Sequence, residues 1–352
     1  MAKTHVGVEI TEESVRAVEV SVDRQPQVLA YGEVVLPPDS AHDSEVLDQG
    51  AVAVAIRQLW NLAKIGSTSA TLGIASRRVL VREHTTTALA PELLRQALPF
   101  QVQDLLPVPV AQAVLDYYPT SQHGDQLHGL LVAAVSETIE SMIASFARAK
   151  IRVDGVDLGA FGLARAAARI VPAGTAAVVH IGDHTTQIVI LRDGIPDFVR
   201  ITPVDLETVA VRRRAAQMVA PDGAGDGTFV AAGALDPARL VVADLAGAAG
   251  IVPHGALRSD TALRPVADVI GRIRGTLSFY ANRPAAPPVE QVLLCGAGAA
   301  VDGVLSGLAE TADVPVRTFG IADLLPMRVP EPTGELALNL VSTLGLALGK
   351  ER

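Results

Sequence analysis

AAVVHIGDHTTQIVILRDGIPDFVRI, residues 176–201, is the stretch whose reading decides the fold. Ala176 to Ile181 and Gln187 to Leu191 are β-branched, apolar runs joined by the short link Gly182 to Thr186. Asp193-Gly194 then gives the two-residue hairpin signal that turns the chain into a third strand, Phe198 to Ile201. Three such strands in succession make an antiparallel meander. The chain opens in the same way, with Val6 to Ile10 and Val15 to Val20 separated by the polar break Thr11-Glu12-Glu13-Ser14. Two halves that begin alike with little shared sequence imply a structural repeat.

Working outward, Val52, Ile56, Leu59 and Ala63 recur at helical spacing within Val46 to Ala63, Gly66 acts as a stop, and Ala70 to Ile74 is a strand. A second helical stretch starts at Pro91 and carries Leu94, Ala97 and Leu98, with Pro99, Pro107 and Pro109 interrupting or ending it. Leu127 to Val135 is strand-like, and Ser136 is placed to cap a helix whose Ile139, Ile143, Phe146 and Ala147 share one face. After the strand Val153 to Leu158 and an alanine-rich helix to Ile170, Pro172-Ala173-Gly174 marks a boundary. Pro221 to Gly227 reads as a flexible glycine-rich connection, since no Gly-Lys-Ser pattern accompanies it. Val266, Ile270, Ile273 and Leu277 define an amphipathic helix. Val289 to Leu294 is a buried-type strand, and after it come Gly296-Ala297-Gly298, a helix from Val301 to Glu310 and a closing helix from Leu336 to Leu348. The expected division is a first lobe over 1–81 with an inserted α/β subdomain over 82–152, a return to the first lobe over 153–171, a second lobe over 172–330, and a terminal helix over 331–352 that packs back on the first lobe.

Length and charge agree with this division. A chain of 352 residues exceeds one ordinary core and suits two lobes. A formal charge of −9 argues against a nucleic-acid partner, which needs a concentrated basic face. The dense run Arg212-Arg213-Arg214 reads as a solvated helix face, with contact to anionic lipid or a partner as the sharper option. The single cysteine, Cys295, reads as a small buried hydrophobe in a reducing compartment, which places the protein in the cytoplasm. No run approaches the roughly 20 apolar residues of a spanning helix. The closing helix, Leu336 to Leu348, spreads its apolar residues widely and lacks a basic flank before Lys350, so burial is expected in place of membrane insertion.

Several segments, in order, resemble the PilM family of type IV pilus assembly proteins over nearly the full chain. They are Val6-Gly7-Val8-Glu9-Ile10 with Ser14-Val15-Arg16-Ala17-Val18-Glu19, then Asp104-Leu105-Leu106-Pro107-Val108-Pro109 and Val156-Asp157-Leu158-Gly159-Ala160-Phe161-Gly162-Leu163-Ala164. Gly182-Asp183-His184-Thr185-Thr186 with Arg192-Asp193-Gly194, and Leu293-Leu294-Cys295-Gly296-Ala297-Gly298, complete the series. The resemblance implies an α/β, two-lobed actin-like ATPase fold (duplicated ribonuclease H-like) with an inserted α/β subdomain in the first lobe. It also implies a cytoplasmic scaffold, peripheral at the inner face of the membrane, that binds the cytoplasmic tail of PilN and other pilus platform and motor proteins. Residues Leu105, Leu106 and Val108, with Leu130 and Val132 of the following strand, are the candidates to line the tail groove.

The resemblance further implies ATP with Mg²⁺ between two phosphate hairpins and a glycine loop. Ser14 and Arg16 would serve from the first hairpin, Gly182, Asp183, Thr185 and Thr186 from the second, and Gly296 and Gly298 from the adenosine loop. Three departures weigh against that ligand. Glu12 and Glu13 replace small residues, and like charges about 4 Å apart repel by roughly 4 kcal/mol at an effective dielectric of 20; otherwise residues 11–14 are a solvated turn. His180 stands where the family carries an aspartate, and Gly159 where it carries an acid. His180 and His184 lack a neighbouring cluster of ligand spacing, so neither a metal ligand nor a catalytic residue is assigned. The expectation is an adaptor with a degenerate nucleotide site and at most weak ATPase activity. An active, ATP-hydrolysing or filament-forming protein is the alternative.

Overall fold

The computed structural model describes residues 3–219, 260–284 and 286–349. The first meander is β1 (Thr4–Ile10), β2 (Ser14–Ser21) and β3 (Val28–Val35), followed by the two-residue strands β4 (Ala41–His42) and β5 (Glu45–Val46). Helix α1 (Gln49–Ala63) starts on Asp48, whose carboxylate accepts from the Gly50 and Ala51 amides, and ends on the left-handed Lys64, two residues before the expected stop at Gly66. Next are β6 (Ser69–Ile74), β7 (Leu80–Thr87), α2 (Pro91–Val102), β8 (Ala113–His123), β9 (Gln126–Val135), α3 (Ser136–Ala149), β10 (Arg152–Leu158) and α4 (Gly159–Ala168). The second half comprises β11 (Thr175–Ile181), β12 (Thr185–Arg192), β13 (Ile195–Pro203), α5 (Val209–Val219), α6 (Asp260–Ala281), β14 (Gln291–Cys295), α7 (Val304–Thr311), β15 (Val316–Thr318) and α8 (Gly334–Ala347).

The repeat is exact in topology. One sheet runs β10-β6-β1-β2-β3 and the other β15-β14-β11-β12-β13 when read from the same end. In each, a meander pairs antiparallel, one later strand adds in parallel to its first strand, and another adds in parallel to that one. Strands β7, β9 and β8 form a separate three-stranded sheet inserted between β6 and α3.

Three expectations for the insert are corrected. Pro99 does not break α2, because Leu94, Leu98 and Val102 are buried and the last two pack on Leu131, holding the helix through the missing amide. Ser136 is the first residue of α3 and not its cap, which is Val135. The buried face of α3 is Ile139, Met142, Ser145, Phe146 and Ala149, while Ile143 and Ala147 are exposed. Met142, Phe146 and Ala149 of that face join the α1 and β1 core, while Ile139 joins the cluster that holds Leu130 of β9.

Helix α8 ties the two sheets together. It lies on β1, β2 and α4 at backbone contact, which glycine makes possible: a Cβ at Gly345 would overlap the Gly162 carbonyl, and one at Gly7 would overlap the Thr343 carbonyl. Leu340, Val341, Leu344 and Ala347 join the core cluster shared by both halves, as the sequence reading of burial for this helix expects. Cys295 is buried and free, as expected. No helix among the described residues is long and apolar enough to cross a membrane. The glycine-rich stretch Pro221 to Gly227 lies outside the described residues.

Candidate functional site

The β1–β2 and β11–β12 turns face each other across the two lobes. They bound a cavity of about 30 Å³, room for a water or two. Some amides of each turn are spent locally: the Thr11 hydroxyl accepts from the Glu13 and Ser14 amides, and the Gly182 amide donates to the Thr185 carbonyl.

The charged side chains close the cleft. Arg16 is 2% exposed; its Nε donates to Glu33 at 2.7 Å within its own lobe and its Nη2 to Asp183 at 2.8 Å in the other. The Thr208 hydroxyl donates to the second Asp183 oxygen at 2.7 Å, and the Ser14 hydroxyl donates to Glu33. Burial opposes both charges. Glu33 and Asp183 nevertheless raise the Arg16 pKa, and Arg16 with Thr208 holds the Asp183 carboxyl below its usual range.

Residues 11–14 are not a solvated turn. Glu13 is buried, accepting from His184 Nε2 at 2.8 Å and from Arg214 at 3.3 Å. Glu12 lies 2.9 Å from His42 and 3.4 Å from Arg214. Two carboxylates that would repel phosphate are matched instead by Arg214 and histidines of the same chain. Arg214 is correspondingly 17% exposed, which corrects the solvated face expected for residues 212–214 at that position. The hydrogen bond to Glu13 raises the His184 pKa against desolvation. Glu12, Glu13 and His184 place ligand atoms within 4.8 Å of one another, a cluster that sequence spacing did not reveal; Arg214 already occupies it.

Deeper in, His180 is buried with both ring nitrogens unpartnered, and burial followed by the Arg16 charge pushes its pKa down to about 4. Gln187 Oε1 is likewise unpartnered. Glu9 turns toward α8, accepting from Ser342 at 2.7 Å and Thr343 at 2.5 Å, and burial raises its pKa.

The glycine loop is engaged by α8. The Gly296 amide donates to the Leu338 carbonyl and the Ala297 amide to Asn339 Oδ1 at 2.7 Å. Gly296 has φ +86 and Gly298 presses on Ile181, so neither faces open space. Of the residues assigned to nucleotide, Arg16, Gly182, Asp183 and Thr185 line one cleft, Ser14 and Thr186 do not line it, Gly296 is bonded to α8, and Gly298 packs on Ile181. Small-molecule pockets span about 300–1,000 Å³. The space left in this cleft is small beside that range, and its arginine and aspartate are paired with each other.

A second concavity of about 1110 Å³ lies between the end of β2, α4, the end of α8 and the β8 residues Tyr117, Tyr118 and Pro119. Tyr118 packs on Phe161 with ring centroids 4.7 Å apart. Arg24, Arg165 and Arg169 stand on its walls; Arg165 is anchored to Asp157 at 2.6 Å and to the Gly345 carbonyl. None of the five residues assigned to a tail groove lines it. Leu130 is buried in the shared core with Val132 packed beside it, Leu106 packs in the small α2 cluster, and Leu105 and Val108 lie in the segment after α2. The signal that could have found the groove is the adjacent Tyr117-Tyr118, two of only four tyrosines in the chain.

The family model described as type IV pilus assembly protein PilM matches residues 7–202. Among solved structures, a PilM–PilN type IV pilus biogenesis complex is similar with TM-score 0.75 at 19% identity, covering 98% of this chain and 97% of that one. The ethanolamine utilization protein EutJ from Carboxydothermus hydrogenoformans is similar with TM-score 0.50 at 15% identity, over 99% and 90% of the two chains. These likenesses establish the expected two-lobed actin-like ATPase fold.

Proposed function

The chain belongs to the PilM family of type IV pilus assembly proteins, and from that premise we propose that it is an adaptor at the cytoplasmic face of the pilus assembly platform, working without nucleotide. Its partner is the cytoplasmic tail of a PilN-type membrane protein, held in the groove between the first lobe and the insert. The observation that carries this reading is the 1110 Å³ groove with its Tyr117, Tyr118 and Phe161 wall. An extended apolar segment gains side-chain pockets and main-chain hydrogen bonds in such a setting, and β8 is an edge strand of its sheet. A similar solved structure is itself titled a PilM–PilN complex. The internal pairing of Arg16, Asp183, Glu13 and Arg214 supports a degenerate nucleotide site.

A titration of a synthetic PilN tail peptide into the purified protein, beside Tyr118→Ala and Arg169→Glu, tests the proposal. Micromolar binding weakened by both substitutions is expected. No binding at high micromolar peptide, or binding indifferent to both substitutions, contradicts it.

A further inference from the structure

Ionic contacts cross the cleft, and both lobes supply carboxylates to them. Arg16 of β2 reaches Asp183 in the second lobe, while Glu13 and Glu12 of the first lobe reach His184 and Arg214. A guanidinium recognises carboxylate and phosphate by the same planar geometry. A buried arginine between two turns is therefore a ready anion site. Here the anion is supplied by the turn itself, since Asp183 follows Gly182 at the tip of the β11–β12 connection, where Thr208 orients it from the far side.

We propose that the Asp183 carboxylate is a built-in substitute for a phosphate group, so that the lobes are held closed permanently by the chain's own charges. The proposal rests on the reading that this protein works without nucleotide, and extends it. The cleft is filled by its own acid and remains a latent anion site. Removing Asp183 would leave Arg16 with only Glu33 and space for an external anion, one carrying the phosphate chemistry that the carboxylate copies.

The test is anion rescue. Thermal midpoints are measured for the wild type, Asp183→Ala and the double variant Arg16→Met/Asp183→Ala with increasing inorganic phosphate and pyrophosphate, and binding of the same anions is followed by calorimetry. Millimolar pyrophosphate is expected to leave the wild-type midpoint unmoved, to return at least half of the midpoint lost in Asp183→Ala, and to do nothing for the double variant. A wild type that responds as strongly as Asp183→Ala, or an Asp183→Ala protein with native circular dichroism that is not rescued, overturns the proposal. If Asp183→Ala does not fold, amide exchange in the wild type decides. Slow exchange in residues 11–14 and 182–186, unchanged by Mg·ATP, supports the permanent closure; fast exchange there, or slowing on Mg·ATP, overturns it. Tail-peptide binding by the same samples separates the two readings. Failed rescue with intact peptide binding removes only the phosphate substitute, and successful rescue without peptide binding removes only the adaptor.

Discussion

In the inter-lobe cleft, Arg16 and Arg214 meet carboxylates at 2.7 to 3.4 Å and the remaining space is about 30 Å³. In the groove beside α4, about 1110 Å³ stands open, and no ion pair among the described residues engages Arg24 or Arg169. The two regions differ in what satisfies their polar groups. A cavity whose charges are already paired has little to offer a ligand, because binding would first break those pairs. A groove whose Arg24 and Arg169 lack an ion pair, Arg169 giving its Nε to the Leu324 carbonyl, and which has an aromatic wall, has unspent interactions. The cleft between the lobes is therefore paired within the chain, while the groove stands open.

The largest expected effect comes from unpairing the cleft. Arg16→Leu leaves Glu33 and Asp183 without their guanidinium and is expected to cost about 3–5 kcal/mol of unfolding free energy. The double variant Arg16→Leu/Asp183→Leu recovers part of that loss if the pair is the cause; chemical denaturation of both proteins reads the difference.

Acid should break the cleft before the groove. Because the folded pKa of His180 is lowered to about 4, its contribution is present above the unfolded value of about 6.5 and is lost as pH falls toward 4. The expected loss is up to about 3 kcal/mol, with a shallower decline in His180→Gln. Denaturant midpoints across that pH range check this.

Gly345→Ala acts on both regions at once, since the new methyl group would collide with the Gly162 carbonyl and force α4 and α8 apart. A cost of about 1–3 kcal/mol is expected, with faster amide exchange at Gly296 and Ala297, whose partners are on α8. Tyr118→Ala removes a ring from the groove wall and should weaken tail-peptide binding by about 1–2 kcal/mol, leaving the thermal response to pyrophosphate as in the wild type. The smallest effect is His184→Ala, expected to cost no more than about 1 kcal/mol because the ring is 34% exposed. Its folded pKa is raised, so the contribution is full below about 6.5 and is lost as pH rises through the folded value. The wild type and the variant should therefore converge in alkaline buffer.

The sequence carried the fold because its signals are local. Alternation and Asp193-Gly194 mark the second meander, and Val52, Ile56 and Leu59 mark α1 at the spacing a helix requires. Both phosphate-type turns were legible for the same reason, as was the burial of the closing helix. What governs the cleft was not legible, since Arg16 and Asp183 lie 167 positions apart and Glu13 and Arg214 lie 201 apart. Glu12 and Glu13 look like an acidic turn until their cations arrive from the other lobe. The candidates for a tail groove are a different case. Leu105, Leu106, Val108, Leu130 and Val132 are apolar, but hydrophobicity alone does not separate a core residue such as Leu130 from a groove wall. Pro99 within α2 and the exposed Ile143 on α3 are cases in which tertiary packing overrides a local rule.

The most direct test is a titration of the PilN tail peptide into the wild-type protein with and without millimolar Mg·ATP. Equal affinity in both buffers, together with no heat from Mg·ATP alone, is the expected result for an adaptor closed by its own charges. Peptide binding that appears or strengthens only with Mg·ATP would contradict the account, because the cleft would then be a nucleotide switch.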